Sequence, residues 1–482
     1  MVRSLCFTVL ALAASTALGR EGDRDERFSE DGQQTLRFDT GTTKRDEATA
    51  VLVDRNGRYL VVGMVESGYV GLAAFKPDGS IDADFGINGK IAYGAPLVAV
   101  TAATMDVLGR TIVVGFGLDP AGNFDFDPVV CRYTAAGQRD TTVSSSGCRT
   151  ISVDKMPNGS DTLSAVTTDG AGQIYVAGQA QISAEDADFL VMKLASTDAS
   201  PLSTFAGNGM VVVAFDANTS HAGGDIDGAQ AIVLQGNHLT VGGYADNELG
   251  NDFALMRISA LNGAEDTTFC PTTAACPGTD RTQGLRTIGF NFGGTNDDRI
   301  RALAVAPDGN IVVAGETERL VEGAVSTNYL VTRIGPTGAF ALPFGSSVAQ
   351  YDRIYRYLNV TGLAVRTDGK IVLAGHTSTE QTNVSPNRIL WVAQMSATGA
   401  PDNQFATDLG GGPSNLQIAV FPTAPSSTVL DHHAGQLTLD HGRIVLAASA
   451  LWRRDMPNSV DDFDFAVLRL KGDSLFNNGF QP

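Results

Sequence analysis

The chain has 482 residues and a mass of 50.4 kDa, enough for two or three ordinary domains unless a repeat accounts for the length. Its 54 glycines, about 11% of the chain against a usual share of about 7%, and its low charged fraction of 18% suit tight turns between apolar strands and exclude a coiled coil, a helical bundle or a disordered chain. The 34 basic residues against 53 acidic ones leave a net charge of −19, a field that repels phosphate backbones and anionic lipid, so nucleic acid and membrane surfaces are poor partners.

The chain opens MVRSLCFTVLALAASTALGR, with a cation at Arg3, an apolar run from Leu5 to Leu18 and a small-x-small site at Ala17-Leu18-Gly19. This reads as a secretory signal peptide over residues 1–19, leaving 20–482 as the mature domain. The apolar run is shorter than the ~20 residues that span a bilayer, so no membrane insertion is expected. The mature protein is expected to be soluble and exported, to the periplasm or beyond. Cys6 leaves with the leader and is not placed to carry a lipid.

Next comes a motif that returns seven times: a turn signal, a short apolar run and a terminal small residue. It reads Asn56-Gly57 then YLVVG to Gly63, Gly109 then TIVVG to Gly115, Gly172 then IYVAG to Gly178, and Asn237 then LTVGG to Gly243. The series closes with Asp308-Gly309 then IVVAG to Gly315, Asp368-Gly369 then IVLAG to Gly375, and His441-Gly442 then IVLAA to Ala448. The spacing is about 60 residues with insertions, the mark of a repeat architecture. A second apolar segment follows each motif, as in VGLAAF at 70–75, DFALMRI at 252–258 and DFAVLRL at 464–470. A turn cluster and a last strand come after it, best seen in KPDGSIDADFGINGK at 76–90. With the apolar run that precedes each motif, every unit has four strands. The Asn-Gly and Asp-Gly pairs read as type I′ hairpin turns with positive φ at both central residues.

A four-stranded antiparallel unit with two apolar faces and open edges is buried by radial repetition. The expected fold is all-β, a single seven-bladed β-propeller. The last unit stops near Phe476-Asn477-Asn478-Gly479, where its fourth strand should begin, while RFSEDGQQTLRFD at 27–39 carries the same turn with a strand attached. The N-terminal strand is therefore expected to complete the last blade.

The succession ALAVAPDGNIVVAGET, then NYLVTRI, then the DG and FG turns resembles the delta-60 repeat of bacterial exported proteins, over about residues 27 to 480. That resemblance implies a propeller-like fold and export. It carries no catalytic residues.

After removal of the leader four cysteines remain, and in an oxidising compartment they are expected as disulfides, paired by proximity as Cys131 with Cys148 and Cys270 with Cys276. Spacings of 17 and 6 do not suit a zinc site. Arg132, Lys193, Arg257, Arg333 and Arg469 recur at one position of the third strands, and Asp125-Phe126, Asp188-Phe189, Asp252-Phe253 and Asp464-Phe465 near their starts; features shared by most blades suit packing or blade pairing rather than a ligand. Gly472-Asp473-Ser474-Leu475 spells an esterase motif but stands at a turn position. His432 and His433 are neighbours on a strand and should face opposite sides, which disfavours a shared metal. His238 and His441 fall in hairpin turns; His221 and His376 complete the six.

Among the acidic loops, Glu185 to Asp188, Asp225 to Gly228, Asp297-Asp298 and Asp461-Asp462, the second resembles the start of a calcium loop but lacks its closing Glu. They read as a solvated surface; no cofactor is predicted, and calcium is the ion such loops could take. Asn158, Asn218, Asn359 and Asn383 sit in glycosylation sequons, without meaning in a bacterial protein. Loops between second and third strands vary most, the longest including Trp452-Arg453-Arg454, so ligands are expected on their rim.

The reading is an exported binding scaffold, monomeric, for a protein or glycan ligand. An enzyme on the same scaffold, polysaccharide-active or quinone-dependent, and a cell-envelope or adhesion component are the alternatives.

Overall fold

The computed structural model describes residues 20–38, 45–66, 68–120, 125–153, 155–215, 225–247, 250–276, 283–294, 296–321, 324–341, 344, 357–378, 388–407, 413–421, 431–453 and 462–472, which form strands and turns and no helix. The expected leader over residues 1–19, His221, Asn218, Asn383, Arg454, Asp461 and the last ten residues, Asp473 to Leu475 among them, lie outside them.

The sheets form a seven-bladed β-propeller, as expected. Blade 1 comprises Asp46–Val53, Tyr59–Val65, Tyr69–Phe75 and Lys90–Gly94; blade 2, Ala99–Met105, Thr111–Leu118, Phe126–Tyr133 and Cys148–Thr150; blade 3, Thr162–Thr168, Ile174–Ser183, Asp186–Leu194 and Met210–Val213. Blade 4 comprises Gly228–Gln235, His238–Asn247, Gly250–Ser259 and Leu285–Ile288; blade 5, Arg299–Val305, Ile311–Val321 and Ala324–Ile334; blade 6, Tyr357–Val365, Ile371–Ser378, Ile389–Met395 and Leu416–Ala419. For blade 5, the stretch that would supply a fourth strand, 345–356, lies outside the described residues. Blade 7 comprises His432–Asp440, Arg443–Arg453, Asp462–Leu470 and, from the other end of the chain, Gln33–Leu36, paired antiparallel from Gln33 opposite Leu468 to Leu36 opposite Phe465. The first strand of each blade touches the first strands of both neighbours all the way round, so these strands encircle the axis. Seven apolar cores lie in the wedges between blades.

The small residue that ends each motif has one cause. Every first strand carries a β-bulge at its third to fifth residue, between Ala48 and Ala50, Val100 and Ala102, Leu163 and Ala165, Ala229 and Ala231, Ile300 and Ala302, Val360 and Gly362, and Ala434 and Leu437. The bulge pushes the preceding carbonyl against the second strand. A Cβ on Gly63 would lie 2.0 Å from the Glu47 oxygen, on Gly178 1.9 Å from Thr162 O, and on Gly375 1.8 Å from Asn359 O. Only blade 7, whose bulge is one residue longer, has Ala448 there. Bulge threonines then link blades: the hydroxyl of Thr49 donates to Val100 O, that of Thr101 to Leu163 O and that of Thr361 to Gly435 O, at 3.2, 2.7 and 2.8 Å.

The hairpin turns differ from the expected type. At Gly57, Gly109, Gly172, Gly309 and Gly369 only the glycine has positive φ, so these are not type I′ turns. In blades 1 to 3 an aspartate opens the turn: Asp54 Oδ1 accepts the N–H groups of Asn56 and Arg58, and Asp106 and Asp169 do the same, which stabilises a longer loop. Blade 7 alone has positive φ at both central residues, His441 and Gly442. The variable loops also shrink, because the second and third strands of blades 3, 4, 5 and 7 run on as a two-stranded ribbon that takes in Trp452 and Arg453.

Candidate functional site

The recurrent cations of blades 2, 3, 4, 5 and 7 each tie their blade to the next. Arg132 donates to the carbonyls of Ser196 and Thr197 in blade 3, Lys193 to Ala260 O in blade 4, Arg257 to Pro336 O in blade 5, Arg333 to Ala397 O in blade 6 and Arg469 to Pro77 O in blade 1. Blade 1 has Ala74 at this position, and Arg58 reaches Ala135 O of blade 2 in its place. The phenylalanines of the Asp-Phe pairs are equally structural: Phe189, Phe253 and Phe465 meet Phe215, Phe290 and Phe38, which follow the fourth strands of the same blades, at 4.7, 5.3 and 4.9 Å. Asp125-Phe126 is offset by two residues, since the ladder puts Asp127-Pro128 at this position.

The disulfides form as paired by proximity. Cys131 and Cys148 face each other across the third and fourth strands of blade 2, and Cys270 and Cys276 close a turn of blade 4 against Gly338 of blade 5.

The acidic loops are not all solvated surface. Asp227 and Asp298 are buried, together with Asp46 and Asp161 at the equivalent position just before the first strand proper. Asp46, Asp227 and Asp298 accept the backbone N–H groups of Phe38, Phe215 and Phe290, clamping the end of one blade to the start of the next. Burial, with Asp225 and Asp188 nearby, pushes Asp227 up to about 8 against its two backbone N–H donors; burial likewise lifts Asp298 to about 7. Among the described residues no group of three His, Cys, Asp or Glu side chains is placed to hold a metal ion.

The pseudo-symmetry fails at one level, the inner end of the ring where the first strands begin. Two residues before each bulge the ladders place seven unlike pairs: Glu47 with Met64, Ala99 with Phe116, Thr162 with Gln179, Gly228 with Tyr244, Arg299 with Glu316, Asn359 with His376, and His433 with Ser449. Polar and charged groups gather in one arc. The Arg299 guanidinium lies 4.5 Å from the centre of the Tyr244 ring, and Arg301, the bulge residue of blade 5, pairs with Glu316 at 2.9 Å. Glu316 also accepts the N–H of Val360 in blade 6 at 2.9 Å.

Asn359 and His376 are in hydrogen-bond contact at 3.1 Å, and the His376 ring stacks on His433 of blade 7 with centroids 5.7 Å apart. His376 Nδ1 accepts the N–H of Ala434 at 3.4 Å, and Ser449 Oγ that of Ala48 in blade 1 at 2.9 Å. Burial first, then His433 and Arg388, push His376 down to about 3, so its ring is neutral. Arg388 Nη1 donates to His433 Nε2, the Asp431 carboxylate lies 3.4 Å from the same nitrogen, and Phe463 is 5.0 Å away. Arg45 of blade 1 covers Phe463 and pairs with Glu47.

His432 and His433 do face opposite sides. His432 is buried against Phe421, at the position of Asp46, Asp161, Asp227 and Asp298. His238 is half-exposed beside Asp266, and His441 occupies its turn. Of the sequons, Asn158 lies in a turn and Asn359 in the polar arc. Arg45, Arg299, Arg301 and Arg388 were not singled out by their sequence, for none belongs to a motif.

No protein-family model and no curated protein matches the chain. Among solved structures it is similar to the polysaccharide lyase Uly1, at 11% identity and a TM-score of 0.45, over 91% of this chain and 92% of that one. It is also similar to a protein of unknown function from Dyadobacter fermentans, at 10% identity and 0.39, over 91% of this chain and 100% of that one. A third is a triple mutant of AofleA from Arthrobotrys oligospora, at 11% identity and 0.38, over 80% and 93%. Similarity this low carries no chemistry to the present chain.

Proposed function

We propose that this chain is an exported binding propeller that seats a glycan in the polar arc of blades 4 to 7 and 1. One observation carries the reading: residues at a single ladder level, repeated in seven blades, become unlike at the inner end of the ring and put Tyr244, Arg299, Asn359, His376 and His433 in one arc, with the bulge residue Arg301 beside them. Planar amides, imidazoles and guanidinium groups are the donors and acceptors that hydroxyl-rich ligands need, and Met64 and Phe116 border the arc with apolar surface. Two disulfides support passage through an oxidising compartment. The test is a glycan panel read by thermal shift, with Asn359→Ala as the arc variant and Arg149→Gln on the opposite rim as control. Hits lost in the first and kept in the second support the reading; hits kept in both overturn the site.

The enzyme reading rests on His433, whose Nε2 meets both a guanidinium and a carboxylate and on which a neutral imidazole stacks. Appearance of new chain ends in a bound glycan, absent with His433→Ala, would establish it.

A further inference from the structure

We propose that the ligand of the arc carries oxyanions, carboxylate or sulfate, and that Arg45 and Arg299 are its principal anchors; this rests on the glycan reading above. The protein's net charge of −19 makes a cationic arc unexpected, yet Arg45, Arg299, Arg301 and Arg388 come to this end of the ring from blades 1, 5 and 6. They are joined through contacts already described, from Arg301 to Glu316 to Val360, from Asn359 to His376 to His433, and from Phe463 to Arg45.

Each guanidinium is oriented by one carboxylate, and two are oriented through Nε alone. Arg299 Nε meets Asp297 at 2.8 Å and Arg45 Nε meets Glu47, so among the described residues both Nη groups of each have no hydrogen-bond partner. Arg45 and Arg299 side chains are 55% and 32% exposed, against 20% for Arg388, whose Nη1 is spent on His433. A guanidinium fixed at Nε presents its Nη pair as a fork, the geometry that receives a carboxylate or sulfate with two parallel hydrogen bonds. Fixing the fork in advance removes part of the ordering cost of binding. The Tyr244 ring packs 4.5 Å from the Arg299 guanidinium and the Phe463 ring 5.9 Å from that of Arg45, contacts that restrict both side chains further. Gly228 makes room for this at blade 4, where a Cβ would lie 2.6 Å from the Tyr244 hydroxyl.

The experiment is affinity electrophoresis and titration calorimetry of the mature protein with polygalacturonate, dextran sulfate and neutral dextran, for wild type, Arg45→Gln, Arg299→Gln, Arg299→Lys, Asn359→Ala and Arg149→Gln. Retention by one or both acidic polymers and not by dextran is expected, with about tenfold weaker binding in each Gln variant. Arg299→Lys should fall between, because it keeps the charge and loses the fork. Arg149→Gln should bind as wild type. The two acidic polymers distinguish carboxylate from sulfate. Binding of dextran, lost in Asn359→Ala and untouched by the Arg variants, would overturn the oxyanion inference while keeping the arc. Acidic binding equal in all variants would overturn both, and so would no binding to any polymer.

Discussion

His432 stands in blade 7 where Asp227 stands in blade 4. Each stands three residues ahead of the bulge of its first strand, each is buried, and each lies beside the phenylalanine that follows the fourth strand of the preceding blade, Phe421 or Phe215. Asp227 accepts the N–H of Phe215, whereas neither ring nitrogen of His432 has a hydrogen-bond partner among the described residues. The two residues oppose each other in pH.

Asp227, raised to about 8, and Asp298, raised to about 7, bind a proton more readily folded than unfolded. Their contribution is complete below pH ~4 and is lost as pH rises towards 8. His432, lowered to about 4, and His376, lowered to about 3, contribute above pH ~6.5 and lose stability as pH falls through their folded values. The midpoint of thermal unfolding should therefore fall between pH 6 and 8, and Asp227→Asn should flatten that limb. An unchanged slope in the variant would refute the assignment.

His432→Asp supplies the acceptor that Asp46, Asp227 and Asp298 provide in their own blades. It should stabilise by about 1 kcal/mol at pH 5 and remove part of the loss on the acid limb. Urea unfolding at pH 4, 5 and 7 measures both, and destabilisation at pH 4 and 5 would show that this clamp is not transferable between blades.

Gly375→Ala should destabilise by about 2–4 kcal/mol, since the new methyl meets a backbone carbonyl that cannot yield without undoing the bulge. Ala448→Gly should change stability by about 1 kcal/mol or less, because the longer bulge of blade 7 already admits a methyl. Equal costs at the two positions would sink the bulge account of the repeated small residue.

The closure of the ring rests on Arg469. Its guanidinium meets Asp25 at 3.0 Å, the hydroxyl of Tyr59 at 3.1 Å and Pro77 O, joining the N-terminal segment, blade 7 and blade 1 in one buried contact. Arg469→Ala leaves Asp25 buried beside only the exposed Arg27, and should cost about 3–5 kcal/mol. Limited proteolysis should then release residues near the N-terminus first. Resistance equal to wild type would place the closure elsewhere.

The fold was legible because its cause is local. Apolar runs before and after a turn, repeated about every 60 residues, specify hairpins whoever their neighbours are, and a small residue at the end of each run is visible without knowing that Glu47 O or Asn359 O lies against it. The exchange of the N-terminal strand was legible for the same reason: Gln33–Leu36 carries the turn and strand pattern that the last unit lacks. Even the opposed faces of His432 and His433 follow from strand alternation.

What only the tertiary structure decided is what the side chains meet. In blades 1 to 3 the hairpin turns expected as type I′ use an aspartate loop instead, because Asp54, Asp106 and Asp169 accept the N–H groups two and four residues on. The acids of Asp227 and Asp298 read as solvated surface and are buried clamps, since their partners, Phe215 and Phe290, follow the last strand of the preceding blade. The polar arc joins Arg299, Asn359, His376, His433 and Arg45, residues separated by whole blades or by nearly the entire chain. Strand periodicity acts over neighbours two residues apart, while the arc exists only because seven similar wedges close a circle and bring the unlike residues of each to a common axis.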